Sequence, residues 1–110
     1  MKKIYLDIKY GSNKHTKGHI LDISKNGIGI ASCMNFRKNI AIKIIIKKET
    51  PLSLKGKVIS CVDREKGDYN YRLGVKFVSL DKIKKLELDK FIYNLIYLKR
   101  KKRKKSFTFI

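Results

Sequence analysis

An aspartate, a serine and a glycine stand at a spacing that can hold a ligand, in the stretch Asp22-Ile23-Ser24-Lys25-Asn26-Gly27. A carboxylate accepts from paired N–H donors, a hydroxyl both donates and accepts, and glycine lets another group pass close to the backbone. The same residue types also build turns. Asp and Ser side chains bond nearby amides, while Asn and Gly tolerate left-handed dihedrals. The stretch therefore fits two readings: a well-formed hairpin connection, or a turn that leaves a carboxylate and a hydroxyl outside the strands for a ligand.

Other chemistry is sparse. His15 and His19 have neither a catalytic partner nor a metal-ligand constellation in sequence, and they read as hairpin surface residues. Cys33 and Cys61 lie far apart with no CxxC and no histidine pair, which argues against zinc and against a disulfide framework. They read as small buried core residues in a reducing cytoplasm. No nucleophile stands beside a base, no carboxylates are paired, and no glycine-rich loop cradles a phosphate. The chain does not read as an enzyme or as a metal protein.

The bulk properties fit one small soluble domain. The chain has 110 residues, 43% of them hydrophobic, which excludes disorder despite a formal net charge of +19. Such charge points toward a polyanion. Part of it is compositional, because 23 Lys accompany only 5 Arg and 16 Ile. Phosphate sites favour arginine for its planar fork, which lysine lacks. Seven positive charges fall in one run, Lys99-Arg100-Lys101-Lys102-Arg103-Lys104-Lys105, and without it 21 basic residues face 9 acidic ones. Lys2 and Lys3 are followed by Asp7 and Lys9 rather than by a long apolar stretch, and Lys43 breaks the Ile-rich segment 40–46. Neither a signal peptide nor a membrane span is indicated, and the expected location is the cytoplasm.

Strands must position the turn. Ile4, Leu6 and Ile8 alternate with Tyr5, Asp7 and Lys9, the period of a strand with one buried face. Gly11–Lys14 reads as a hairpin turn. Further strands are expected over Thr16–Ile23, Ile28–Ser32, Ile40–Lys48, Ser53–Val62 and Tyr71–Val78, with Gly29 permitting a bulge or a close backbone approach. Leu54, Val58 and Ser60 fall on one side of the fifth. After Ser79, a plausible N-cap, the period becomes helical. Val78 and Ile83 have the spacing of a hydrophobic staple, Asp81 suits the first turn, and Leu88, Phe91, Ile92, Leu95 and Ile96 form one stripe. The expected fold is mainly β, a six-stranded antiparallel barrel or sandwich followed by one helix. The domain spans residues 1–98. Residues 99–110 form a basic tail expected to be mobile, with Phe107–Ile110 free to dock or to pair.

Two stretches at this separation carry a resemblance. Asp22-x-Ser24-x-x-Gly27 enters the third strand, and Tyr71-Arg72-Leu73-Gly74-Val75-Lys76-Phe77-Val78 runs into the helix. Together they resemble the PilZ domain, a family of six-stranded barrels with a C-terminal helix, many of which bind cyclic di-GMP. The resemblance covers residues from about 4 to 96. It implies that Asp22 accepts guanine N–H donors, Ser24 bonds beside it, and Gly27 holds the turn. The family's Arg-x-x-x-Arg motif has no arginine counterpart, since the first arginine is Arg37. Lys2 and Lys3 then become the candidate cations, with Arg72, Arg100 and Arg103 as further candidate phosphate contacts. The function so implied is a non-enzymatic cyclic di-GMP receptor that relays the signal to a protein partner. Two alternatives stay open: an adaptor that has lost the nucleotide, and a binder of nucleic acid or acidic membrane through Lys99–Lys105.

Overall fold

A computed structural model describes residues 3–65 and 67–108, with side chains described as far as Ile96. Six strands precede one helix: β1 (Tyr5–Tyr10), β2 (Lys14–Ile23), β3 (Gly27–Ser32), β4 (Ala41–Ile46), β5 (Leu52–Asp63), β6 (Tyr71–Phe77) and α1 (Lys82–Thr108). All pairings are antiparallel, and the strands close into a barrel in the order β1-β2-β3-β6-β5-β4, with β4 returning to β1.

Alternation creates the inside of the barrel. Leu6, Ile8, Ile30, Ile44, Ile46, Leu54, Val58, Leu73 and Val75 are all buried there. Their strand neighbours point outward, so the charge of the sequence collects on the outer wall. Two register shifts interrupt the alternation, one in β2 between Ile20 and Asp22 and one in β5 between Val58 and Ser60. A bulge adds one residue to one strand and reverses the facing of the residues beyond it. It turns Ser60 outward, where it is exposed opposite Gly74. The expected grouping of Ser60 with Leu54 and Val58 is corrected accordingly.

The helix begins later than its sequence signals suggest. Ser79 does not cap it, because its φ is +53° and α1 starts only at Lys82. The cap is Asp81, whose Oδ1 accepts from the Lys84 amide at 2.8 Å. This shift leaves Ile83 70% exposed, so the Val78–Ile83 staple does not form. Leu88 and Phe91 are buried against the barrel, and Ile92 and Leu95 pack beside them. Ile96 is exposed and leaves the expected stripe. The helical backbone runs on through the basic run to Thr108. The side chains of Lys99–Lys105, and the whole of Phe109 and Ile110, lie outside the described residues.

Neither cysteine is fully buried, although Cys61 packs against the edge of the core. Cys33 is exposed just beyond β3, and the half-buried Cys61 directs its thiol to Asn35 Oδ1 at 3.1 Å. Among the described residues, no helix is long and apolar enough to cross a membrane.

Candidate functional site

Asp22, Ser24, Gly27 and Arg72 meet on the outer wall where β2, β3 and β6 run side by side. The register places Asp22 opposite Gly29, and Gly29 opposite Gly74. Because Ile28, Ile30, Leu73 and Val75 point inward, Gly29, Gly74 and Arg72 must point outward. Arg72 Nη2 donates to Asp22 Oδ2 at 2.6 Å, with both side chains substantially exposed.

Glycine makes this geometry possible. A β-carbon at Gly29 would lie 2.6 Å from Asp22 Oδ1 and 2.9 Å from Arg72 Nη2, so the ion pair lies flat across bare backbone. The result is a shallow depression of about 570 Å³ bordered by Asp22, Ser24, Ile59, Arg72 and Lys76. The pair covers Gly29, so a planar ligand reaches the glycine backbone once Asp22 and Arg72 swing aside.

The turn itself departs from its expected chemistry. None of its residues adopts a positive φ. Gly27 is required instead by contact, because a β-carbon there would collide with the Val75 carbonyl of β6. The Ser24 amide donates to the Gly27 carbonyl at 2.9 Å, and Ser24 Oγ accepts from the Asn26 amide at 3.3 Å. The Asn26 carbonyl accepts from the Phe77 amide at 2.9 Å, tying the turn to the end of β6. Asp22 belongs to β2 rather than to the turn, and its carboxylate is engaged by Arg72 rather than free.

The remaining candidates are placed less closely. Lys3 is exposed ahead of β1, and the register that pairs Tyr5 with His19 carries it toward Leu21, beside Asp22. It does not line the depression. Lys2 lies outside the described residues, as do the side chains of Arg100 and Arg103. Gly74, Ile59 and Lys76 border the depression although the sequence motifs assign none of them a ligand role, and Gly74 and Lys76 lie within the β6 stretch that carries the resemblance. The alternation of Tyr71–Phe77 carries the signal for two of them, because inward Leu73 and Val75 force Gly74 and Lys76 outward.

Next to the depression, His19 is 8% exposed rather than a surface residue. Tyr5 and Tyr69 meet its ring edge-on, at centroid distances of 6.1 and 5.1 Å. The loop between β5 and β6 brings Tyr69 there, an arrangement that local sequence does not reveal. The His19 Nδ1 is buried, with no hydrogen bond of good geometry among the described residues. Burial pushes the His19 pKa below the usual imidazole value; the Lys3 and Arg64 charges add to this, against a backbone contact with Ile20 that raises it. The unfolded chain therefore takes up this proton more readily than the folded one. Stability from His19 is complete above the unfolded value of 6.5 and is lost as pH falls below it. Thermal melts between pH 8 and pH 5 should show stability falling as the pH drops, by at most about 1.4 kcal/mol per pH unit. His19→Phe should flatten that part of the profile.

Comparison with known proteins agrees with this architecture. The PilZ domain family model matches residues 4–94. The fold is similar to the PilZ domain with c-di-GMP of YcgR from Escherichia coli, with a TM-score of 0.76 and 17% identity, covering 94% of this chain and 88% of that one. It is also similar to MrkH from K. pneumonia in its apo state, with a TM-score of 0.75 and 13% identity over 93% of this chain and 50% of that one. The Bacillus subtilis inhibitor of motility MotI/DgrA gives a TM-score of 0.68 and 14% identity over 90% of this chain and 49% of that one. The chain thus spans about half the length of the latter two. No curated protein matches. With the family model covering most of the chain and six antiparallel strands closing a barrel ahead of one helix, the chain belongs to the PilZ domain family.

Proposed function

We propose that the chain is a cyclic di-GMP receptor that signals by binding the dinucleotide on the β2-β3-β6 wall and presenting the complex to a protein partner. A PilZ domain is a receptor module and not an enzyme. The observation that carries the reading is the exposed Asp22–Arg72 pair lying on a glycine floor beside Ser24. An exposed ion pair is worth about 0.2–1 kcal/mol. A charge-assisted hydrogen bond to a ligand contributes about 1.5–3 kcal/mol. Exchanging the first for the second is favourable. Asp22 turns to the paired N–H donors of guanine, Ser24 bonds beside it, and Arg72 is released to a phosphate or to the base face. Lys76 borders the depression, and Lys3 precedes β1, which pairs with the Asp22 strand β2, with Lys2 next to it in sequence. These lysines supply the charge that the missing upstream arginines would carry.

Calorimetric titration with cyclic di-GMP tests this reading. Asp22→Ala should weaken binding by about 10–100-fold, the value of one charge-assisted contact. An absence of heat with the unmodified chain at a ligand concentration of about 100 μM, where micromolar binding saturates, rejects the receptor. That outcome would favour a second reading, in which the Asp22–Arg72 pair is a permanent surface contact and the domain is an adaptor without nucleotide.

A further inference from the structure

The opposite wall of the barrel carries a feature that dinucleotide binding does not use. Lys9 of β1 stands directly opposite Lys43 of β4, and Lys43 directly opposite Lys55 of β5. His15 of β2 extends the same row through its pairing with Lys9. All three lysines are exposed. Adjacent strands lie about 4.8 Å apart, so these cations form a ladder of near neighbours. Like charges directly opposite one another destabilise a sheet. The groove along this row, about 590 Å³, has no acidic residue in its lining. Asp7, two residues before Lys9 on β1, is engaged by Lys47 at 3.4 Å.

We infer that this lysine ladder is a docking surface for an acidic segment of a partner protein. Charge complementarity identifies the occupant, because a row of carboxylates neutralises cations that nothing in the described chain neutralises. The chemistry of the wall separates this partner from other polyanions. Single-stranded nucleic acid is held by stacking on exposed aromatics and by arginine; the groove has no arginine in its lining, Tyr10 is half-buried with its ring against Phe36, and His15 is the one exposed ring. An acidic membrane is held by cations together with inserted apolar side chains. The exposed Ile59, Val62, Ile83, Leu86 and Tyr93 all lie off the ladder. Lysine, a flexible point charge, suits carboxylates that require no bidentate fork. In the order of the closed barrel, β4 is the strand across from β3. The groove with Lys43 and Lys55 is thus remote from Asp22 and Gly29, and the ladder stands whether or not the dinucleotide binds.

Fluorescence anisotropy with the full chain tests the assignment, using a labelled deca-glutamate peptide, a labelled decathymidylate and vesicles of anionic lipid. The triple variant Lys9→Gln, Lys43→Gln, Lys55→Gln should weaken peptide binding by at least about tenfold. The charge-matched triple variant Lys38→Gln, Lys48→Gln, Lys90→Gln should weaken it by no more than about threefold. Lys43→Gln alone should raise the melting temperature by about 2–6 °C at low salt, because it removes the cation flanked on both sides. Equal losses from the two triple variants would reduce the ladder to net charge and overturn the proposal. A larger loss for the oligonucleotide or the vesicles than for the peptide would assign the wall to another class of partner and overturn it as well. A melting temperature unchanged by Lys43→Gln would remove its electrostatic basis.

Discussion

Gly29→Val should weaken cyclic di-GMP binding by about two to four orders of magnitude, the combined value of two charge-assisted contacts, while leaving the barrel folded. The atoms nearest the new β-carbon would be the Asp22 carboxylate, Oδ1 and Cγ, and Arg72 Nη2, which belong to two exposed side chains that can swing away. Valine is also at home in a strand. The damage falls on the site instead. The methyl groups stand where the ligand's ring must lie, and Asp22 and Arg72 are displaced together. Calorimetry should show the loss, and circular dichroism an unchanged β spectrum with a melting temperature within a few degrees of the parent. Binding that persists near the parental affinity would move the ligand off this wall.

Ile44→Ala should have the opposite profile, a loss of about 2–5 kcal/mol in stability with a site that still binds wherever the protein remains folded. Ile44 is 0% exposed at the centre of β4 and faces the core between the strands that bracket it, β1 and β5. Its truncation removes buried methyl groups and leaves a cavity that a closed barrel cannot collapse easily. For a domain of this size the melting temperature should fall by about 8–20 °C. Denaturant titration at constant m-value provides the check, since a change in the midpoint alone reports stability rather than altered compactness. Ile44→Val, which removes a single methylene, should cost about 0.5–1.5 kcal/mol.

Much of the barrel is legible in the sequence because its strands alternate cleanly. Leu6 and Ile8, Ile28 and Ile30, and Leu73 and Val75 each mark one buried face, and all of them lie inside. The features that local sequence hides depend on contacts between distant segments. The partner of Asp22 is Arg72, 50 residues away. His19 is buried because Tyr69, on a loop beyond β5, covers its ring. Neither fact leaves a local trace in composition or period. The helix start is hidden for a different reason. Ser79 and Asp81 are both good caps, and only the backbone decides between them, through the positive φ at Ser79. Ser60 is misplaced by a bulge, which shifts a strand's facing without changing its residue types. Residue type suggests left-handed dihedrals for Gly27, whereas its role is to clear the Val75 carbonyl.

The closure of the barrel bears on when the site comes into existence. β1, β2 and β3 can pair through short connections, but the seam between β3 and β6 joins chain segments far apart in sequence. Such non-local pairing pays its loop-closure entropy before its contacts are won, and in domains of this kind it governs the folding rate. Asp22 and Arg72 sit on either side of that seam. No hairpin fragment of the chain contains both, so the depression is assembled only when the last strands meet. A ligand held there acts on the seam as a clasp. It stabilises the closed barrel according to its free concentration and leaves the early hairpins unaffected.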